Sequence, residues 1–270
     1  MKKEVRTRLR GVDPKTPNLA RMHDYFIGGK DNFAADREAA EALLAIAPEI
    51  RDMAREHLAC RTRTVRYMVG EGIDQFIDIA TALPTRDHPH QVARELRPGV
   101  RTVYVDRDPV VLTHARAILA ADPDVAVVPG DVLHPEDLLA HPALRRLINL
   151  GRPAGVLIEG VLQYIPDSEG PYKAVARLRD GLPRGSLVAI SHVVFDARPE
   201  AAEPIVEVFR GFLKRKESAV RMRKDVLRFF DGMELVEPGL VYAREWRPES
   251  PFFPERPSKA WVAWGVGRVP

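Results

Sequence analysis

Two short apolar runs associated with acidic residues constrain the fold of this chain more than any other feature. The first covers residues 76–79 and contains Asp78, and the second covers residues 102–105 and leads directly into Asp106. Such runs are typical of buried parallel strands, which deliver side chains to the carboxyl edge of a sheet, where open α/β folds bind ligands. The pair therefore predicts a site for an adenosine-containing cofactor.

The second acid has the more specific interpretation. Asp106 follows a run of mostly β-branched and aromatic residues, and a carboxylate at such a strand end can accept hydrogen bonds from both hydroxyls of a ribose. We predict this ribose role; the alternative is a loop carboxylate that faces water. Asp108 precedes Pro109 and a helical pattern, so we interpret it as a helix N-cap with proline at the first helical position.

The same pattern recurs at residues 125–128, where Pro129 and Gly130 turn the chain before Asp131. A carboxylate at this point can accept a hydrogen bond from the exocyclic amine of adenine, and the amide of Val132 can serve a ring nitrogen. Capping of the helix predicted over residues 135–139 is the competing interpretation of Asp131.

Further alternation of strands and helices defines the fold class. Strands are predicted over residues 155–159 and 186–191, with a helix between them over residues 172–182. Strand, helix and strand repeated in this way predict a doubly wound, mostly parallel sheet. Helices over 199–216 and 222–230 and closing strands over 240–246 and 259–266 are also predicted.

With these elements, the sequence resembles the class I, Rossmann-like S-adenosylmethionine-dependent methyltransferases. It is similar in particular to the bacterial S-adenosyl methyltransferase family once catalogued as a domain of unknown function. The resemblance covers nearly the whole chain and rests on the strand motifs above and on residues 17–37, 161–167 and 171–192. It implies a seven-stranded sheet with an antiparallel edge strand, an N-terminal helical segment (1–65) packing over the cofactor cleft, and a methyltransferase domain (66–270).

The resemblance implies transfer of a methyl group from S-adenosylmethionine to an acceptor that we expect to be a small molecule. The implied cofactor contacts are Arg21, Tyr25, Gly28, Gly29, Asp78, Ala80, Thr81, Ala82, Asp106, Arg107, Asp131, Val132 and Glu159. The first four are candidates to bind the carboxylate end of the cofactor or to form the substrate entrance, since arginine binds carboxylates in a forked geometry. A solvated turn with Tyr25 as a helix-packing residue is the alternative.

The acceptor pocket and the catalytic group are less specific in the sequence. Gln163 and Tyr164 follow the fourth strand and are candidates for the pocket wall near the methyl group, with Tyr164 also a catalytic candidate. His192 lies at the end of the fifth strand, where it can serve as a base or orient an acceptor. A core or capping histidine is the alternative for His192.

One departure from the family pattern bears on activity. The related methyltransferases usually carry Asp-x-Gly-x-Gly after the first strand, but here both glycine positions are alanine, Ala80 and Ala82. Either the loop uses ordinary dihedrals or the cofactor is held less closely. The alternative function is therefore a non-catalytic protein that binds or senses S-adenosylmethionine or S-adenosylhomocysteine. A nucleotide-binding oxidoreductase fits less well, because it would need the Gly-rich turn that is missing.

Composition limits the partners. No apolar run approaches the roughly 20 residues of a membrane span, so we expect a cytoplasmic protein. The net charge is +3, and the basic residues at 214–216 and 221–224 are interpreted as a solvated helical face, not a nucleic-acid site. The single cysteine, and His88 and His90 without further ligands nearby, predict no metal. Homo-oligomerisation stays open.

Overall fold

The computed structural model describes residues 13–84, 87–119, 122–213, 219–249 and 261–270. The helices are α1 (Leu19–Phe26), α2 (Ala34–Ile46), α3 (Ile50–Gly70), α4 (Pro89–Leu96), α5 (Pro109–Leu119), α6 (Pro135–Ala140), α7 (Pro142–Leu147), α8 (Pro171–Asp180), α9 (Ala202–Leu213) and α10 (Arg223–Leu227). The strands are β1 (Gln75–Ile79), β2 (Arg101–Asp106), β3 (Val125–Pro129), β4 (Gly155–Glu159), β5 (Leu187–Val193), β6 (Glu234–Leu235), β7 (Val241–Tyr242) and β8 (Val262–Arg268). The predicted strand residues 259–260 and basic residues 214–216 lie outside the described ranges.

The strands form one sheet in the order β3-β2-β1-β4-β5-β8-β6, and β7 also pairs with β8. The pairs among β1 to β5 are parallel, whereas β8 runs antiparallel to β5, β6 and β7. The predicted doubly wound, mostly parallel sheet is therefore confirmed. The described residues contain eight strands instead of seven, because β6 has only two residues and leaves no periodic signal in the sequence.

The predicted strand over residues 240–246 is wrong in its length. Only Val241–Tyr242 pair with β8, and a single 3-10 turn follows over Ala243–Glu245. The guanidinium of Arg63 on α3 donates hydrogen bonds to the carbonyl oxygens of Ala243, at 2.7 Å, and Trp246, at 3.0 Å. These carbonyls thus bond to a helix side chain instead of extending the sheet.

The sheet is buried on both faces, which explains the nearly continuous apolar runs of its central strands. Leu157 and Ala189 point to the face covered by α1 to α4 and α9, and Val156 and Val188 point to the opposite face. Helices α6, α7 and α8 cover that opposite face. Each residue step along a strand switches the side chain from one core to the other.

The N-terminal helices share their core with the sheet. Helix α3 runs through the predicted boundary after residue 65, and its Val65 and Met68 are fully buried in the same core as Phe76 of β1. The division into two segments at this point stays a prediction. Within the described residues, no helix combines the length and apolar character that a membrane span requires.

Candidate functional site

A cavity of about 490 Å³ lies at the carboxyl ends of β1 to β5. Helices α1 to α3 and α9 form much of the remaining wall. The strand-end residues that the sequence analysis singled out, and that line this cavity, are Asp78, Ala80, Thr81, Ala82, Asp106, Arg107, Asp131, Val132, Glu159, Gln163 and Tyr164. The parallel topology is what collects them, since carboxyl ends of parallel strands meet at one edge.

Strand register explains why two of the cavity acids face the same helices. Asp78 pairs with Leu157, and Leu157 pairs with Ala189, so these three residues form one row across β1, β4 and β5. Glu159 and Ser191 lie two residues further along their strands and are themselves register partners. Because side chains alternate along a strand, Asp78, Glu159 and Ser191 all project toward α1 to α3.

The loop after β1 has the left-handed backbone conformation that glycine residues usually adopt. Ala80 and Ala82 have φ values of +62° and +60°. The backbone N–H of Ala80 donates to the carbonyl oxygen of Val105 at 2.8 Å, and that of Ala82 donates to Asp106 Oδ2 at 3.3 Å. Of the two alternatives that the sequence left open, ordinary dihedrals are therefore excluded: two alanines adopt the left-handed region, which costs an L-residue about 1 to 2 kcal/mol.

Replacing Ala82 with glycine is expected to raise the free energy of unfolding by about 0.5 to 1 kcal/mol, because relief of the left-handed strain exceeds the added freedom of the unfolded chain. The melting temperature should rise by about 2 °C in calorimetry. Ala42→Gly on the exposed face of α2 is the matched control and should lose up to about 1 kcal/mol. A loss of stability in both variants would show that the loop is not strained.

Asp106 and Asp131, the two acids assigned to the adenosyl group, each already accept hydrogen bonds from within the protein. Asp106 Oδ1 accepts the N–H of Asp108 at 2.8 Å, and burial raises the pKa of the Asp106 carboxyl. Asp131 Oδ1 accepts the N–H of Leu133 and Oδ2 accepts Arg107 Nη1, both at 3.0 Å. A carboxylate has about four acceptor positions, so both side chains keep capacity for a ligand.

Asp108 caps a helix, whereas Asp131 does not. The N–H of Val110 donates to Asp108 Oδ1 at 2.7 Å, and α5 begins at Pro109, so the predicted N-cap role of Asp108 is confirmed. The N-cap of α6 is His134, so Asp131 is not the cap of that helix.

Asp78 and Glu159 form a buried acidic pair at the centre of the site. Burial raises the pKa of Asp78 to about 6. The guanidinium of Arg61 and a 2.9 Å hydrogen bond from the Thr81 hydroxyl lower this pKa and so oppose the effect of burial. Burial raises the pKa of Glu159 to about 8, and the charge of Asp78 acts in the same direction. Near neutral pH, Glu159 is therefore mostly protonated while Asp78 is mostly ionised.

The four predicted N-terminal contacts, Arg21, Tyr25, Gly28 and Gly29, do not lie on the cavity. Arg21 is buried and donates to Asp36 Oδ2 at 2.7 Å, and its Nη2 also donates to the backbone carbonyl oxygen of Thr16. The Tyr25 hydroxyl bonds to the side chain of Glu41. In this structure Arg21 and Tyr25 tie α1 to α2 instead of lining the cavity.

The two glycines have a local structural role. Gly28 has φ +85°, and a Cβ on Gly29 would lie 1.8 Å from Asp24 Oδ1. The Asp24 carboxylate also accepts the N–H of Asp31 at 2.8 Å. Glycine is therefore required at position 29 by close packing against a side chain, with no contact to the cavity.

The cavity instead receives the other face of α1, formed by Leu19, Met22, His23 and Phe26. These residues follow the i, i+3, i+4, i+7 spacing of one helical face. Arg21 and Tyr25 are four residues apart and lie on a different face. The helical spacing was thus the signal for the cavity residues of this segment.

The structure places His192 away from the cavity in which the sequence analysis expected it to act. Its side chain is fully buried and is absent from the cavity wall, with Nε2 accepting from Arg221 Nη1 at 3.0 Å and Nδ1 donating to the Val193 carbonyl oxygen at 2.5 Å. Burial lowers its pKa to about 3. Alternation along β5 places its neighbours Ser191 and Val193 on the cavity instead.

Three cavity residues that the sequence analysis missed belong to α3 and β5. His57 and Arg61 lie one helical turn apart on α3, and Ser191 faces them from β5. His57 Nε2 is 2.9 Å from Ser191 Oγ and 3.8 Å from Glu159 Oε2. Burial holds the pKa of His57 well below its ordinary value, so its imidazole is neutral. The only sequence signal was the spacing of four between two polar residues within a buried stripe.

Comparison with known proteins identifies the family. The sequence model described as S-adenosyl methyltransferase matches residues 5–270. The chain belongs to this family. Its cofactor is S-adenosylmethionine, and the residues present fit that group, since the cavity offers buried carboxylates to a ligand that carries an ammonium, a sulfonium and two ribose hydroxyls. No curated protein sequence matches this methyltransferase-family chain.

Solved structures support the family assignment and the fold. A protein from Thermobifida fusca YX that is assigned as a methyltransferase is 38% identical, with 96% of this chain and 97% of that chain covered and a TM-score of 0.89. A protein of a domain-of-unknown-function family from Streptomyces avermitilis MA-4680 is 32% identical, with 96% and 99% covered and a TM-score of 0.89. The N-methyltransferase NodS from Bradyrhizobium japonicum WM9, in complex with S-adenosylhomocysteine, is 13% identical, with 81% and 88% covered and a TM-score of 0.51, which shows the fold alone.

Proposed function

We propose that this protein transfers the methyl group of S-adenosylmethionine to a small-molecule acceptor. The observation that carries the proposal is a row of three carboxylates, Asp131, Asp106 and Asp78, on the ends of the adjacent strands β3, β2 and β1. In this order they suit the adenine amine, the ribose hydroxyls and the methionine ammonium. When bound, the cofactor supplies a methyl group on a positively charged sulfur.

The remaining predicted contacts take supporting roles in this proposal. Ala80, Thr81 and Ala82 approach the methionine part, and Arg107 and Val132 border the adenosyl part. Gln163 and Tyr164 form the pocket wall near the methyl group: Gln163 Oε1 accepts the N–H of Val193 at 3.1 Å, and burial raises the pKa of the Tyr164 hydroxyl. Tyr164 is therefore un-ionised and serves the wall, not proton removal. A wall of helices around the cavity favours a small acceptor over a macromolecular one.

Binding of S-adenosylmethionine near neutral pH is expected to release up to about one proton per site, because a cationic ligand stabilises the ionised forms of Asp78 and Glu159. Most of it should come from Glu159, whose pKa near 8 leaves it mostly protonated beforehand. Titration calorimetry in buffers of different ionisation enthalpy measures this number. S-adenosylhomocysteine, which lacks the sulfonium charge, should release fewer protons; equal release would contradict the assignment.

Asp131→Asn is expected to weaken cofactor binding by about 1 to 2 kcal/mol, or five- to thirtyfold in Kd, because the amide loses the charge and one acceptor oxygen. The fold should survive, since the pair with Arg107 is partly exposed and such pairs contribute about 0 to 1 kcal/mol. Calorimetry and thermal unfolding report the two quantities separately. A large loss of stability with unchanged affinity would make Asp131 a structural residue.

Turnover is the direct test of the proposed activity. The protein is incubated with S-adenosylmethionine and a panel of small metabolites, and the formation of S-adenosylhomocysteine is measured against a no-acceptor control. Acceptor-dependent product that disappears in Asp106→Ala supports the proposal. Tight cofactor binding with no product from any acceptor would favour the non-catalytic alternative, a protein that binds the cofactor or its demethylated form.

A further inference from the structure

We propose that Glu159, His57 and Ser191 form the acceptor subsite, and that the acceptor is an amine carried on an apolar body. The inference rests on the proposed function, because it names the acceptor class for the same cavity. Strand order supports it: β4 and β5 lie directly beyond β1, so Glu159 and Ser191 continue the row of strand ends past Asp78. A nucleophile on this side of the cavity would stand next to the methionine end of the cofactor.

The side chain of His57 on α3 lies close to both Glu159 and Ser191 at the edge of the sheet. His57 Nε2 is 2.9 Å from Ser191 Oγ, and Ser191 Oγ accepts the N–H of Gly160 at 2.9 Å. In the described part of the chain, Glu159 Oε1 and His57 Nδ1 are buried and have no hydrogen-bond partner. Glu159 is 8% exposed. An unpaired buried polar atom costs about 1 to 3 kcal/mol, which a polar ligand group in the cavity would recover.

The charge of the subsite selects for an amine. Asp78 and Glu159 face the cavity together, and His57 is neutral, so an acceptor that carries a carboxylate or phosphate would meet two acidic groups. Arg61 and an entering ammonium both favour the ionised forms of these acids, so the ammonium would meet carboxylates, while the Arg61 charge offsets part of their attraction for it. An ammonium also offers several N–H donors, which suits carboxyl oxygens better than the single O–H of an alcohol.

Apolar residues form much of the remaining wall on this side. Tyr164 packs edge-to-face on Phe209 of α9, with ring centroids 5.3 Å apart. The other apolar residues that line the cavity include Phe26, Met53, Phe195 and Ile205. Binding pockets with such walls hold apolar ligand bodies and use a few polar groups to orient them. The acceptor is therefore a hydrophobic amine with its nitrogen at Glu159.

The proton balance of the step is simple. The ionised Glu159 carboxylate, favoured beside a positive sulfur, takes one proton from the entering ammonium. The lone pair that this frees on nitrogen forms the new N–C bond to the methyl carbon while the C–S bond breaks and leaves its electron pair on sulfur. The methylated nitrogen keeps the positive charge, and S-adenosylhomocysteine is the other product.

Binding to the protein saturated with S-adenosylhomocysteine tests the subsite without turnover. The probes are hexylamine, 2-phenylethylamine and tryptamine, each paired with the alcohol and the carboxylic acid of the same body. At least one amine should bind about tenfold or more tighter than its alcohol, a difference of about 1.4 kcal/mol, and the acids should not bind. Glu159→Gln and His57→Gln should each reduce this preference to below about threefold. Glu136→Gln, at an exposed position on α6, is the control and should change nothing.

Affinity for S-adenosylhomocysteine separates the possible failures. The inference predicts that this affinity changes less than about twofold in Glu159→Gln, because the uncharged sulfur of S-adenosylhomocysteine has no electrostatic attraction for the carboxylate. If the amines bind no tighter than the alcohols while S-adenosylhomocysteine binds, the inference is overturned and the proposed function stands. If Glu159→Gln weakens S-adenosylhomocysteine and the amines equally, Glu159 is a cofactor contact and the inference is again overturned. Absence of S-adenosylhomocysteine binding in the unmodified protein would overturn the proposed function itself.

Discussion

Replacing Arg221 with methionine is expected to lower the free energy of unfolding by about 3 to 5 kcal/mol, because a buried guanidinium is lost and its buried hydrogen-bond acceptors are left unpaired. The guanidinium donates to the carbonyl oxygens of Leu162, at 2.7 Å, and Ile165, at 2.8 Å, and to Asp167 Oδ1 at 2.6 Å. It also donates to His192, so its loss leaves several buried acceptors unpaired. Methionine keeps the apolar stem of the side chain, so the effect isolates the charged head.

Arg221→Met should also alter the wall of the cavity. Arg221 holds residues 162–167, and this segment carries Gln163 and Tyr164 of the cavity wall. Chemical denaturation measures the stability, and calorimetry measures cofactor affinity at a temperature where the variant is folded. Arg223→Met is the matched control, since Arg223 is exposed, and it should stay within about 0.5 kcal/mol. Equal effects at both positions would refute the structural role of Arg221.

Asp106→Ala is expected to weaken cofactor binding by about 1 to 3 kcal/mol, or five- to 150-fold in Kd, because two ribose hydroxyls would lose their acceptor in a buried site. Asp106 also accepts backbone N–H groups from Asp108 and Ala82, so Asp106→Asn is needed beside it, as it keeps one acceptor oxygen. Asp124→Ala, before β3 and away from the cavity, is the control. A folded Asp106→Ala protein with unchanged affinity would remove the ribose assignment.

The strand-end acids were accessible from sequence for a physical reason. Strands buried on both faces leave continuous apolar runs, and an acid beside such a run marks the edge of a sheet. Asp78, Asp106 and Asp131 each follow or interrupt one of these runs, so topology alone brings them to one cavity. The conformation of Ala80 and Ala82 was not accessible, because the residue type argues against the left-handed region that the surrounding hydrogen bonds impose.

The contribution of the N-terminal helices needed the three-dimensional structure. Arg21 reaches Asp36, fifteen residues away, and His57 reaches Ser191, 134 residues away; no local pattern indicates either contact. His192 shows the limit of strand-end reasoning. It was placed at the correct edge, but a side chain one residue out of step points to the opposite face of the sheet.

A crystal structure of the complex with S-adenosylhomocysteine tests the central claim most directly. The ribose hydroxyls should lie within about 2.6 to 3.2 Å of the Asp106 carboxylate, with the adenine beside Asp131 and Val132. The sulfur should face Glu159 and leave the apolar part of the cavity between α1, α3 and α9 open. An adenosyl group bound away from the carboxyl ends of β1, β2 and β3 would contradict the account.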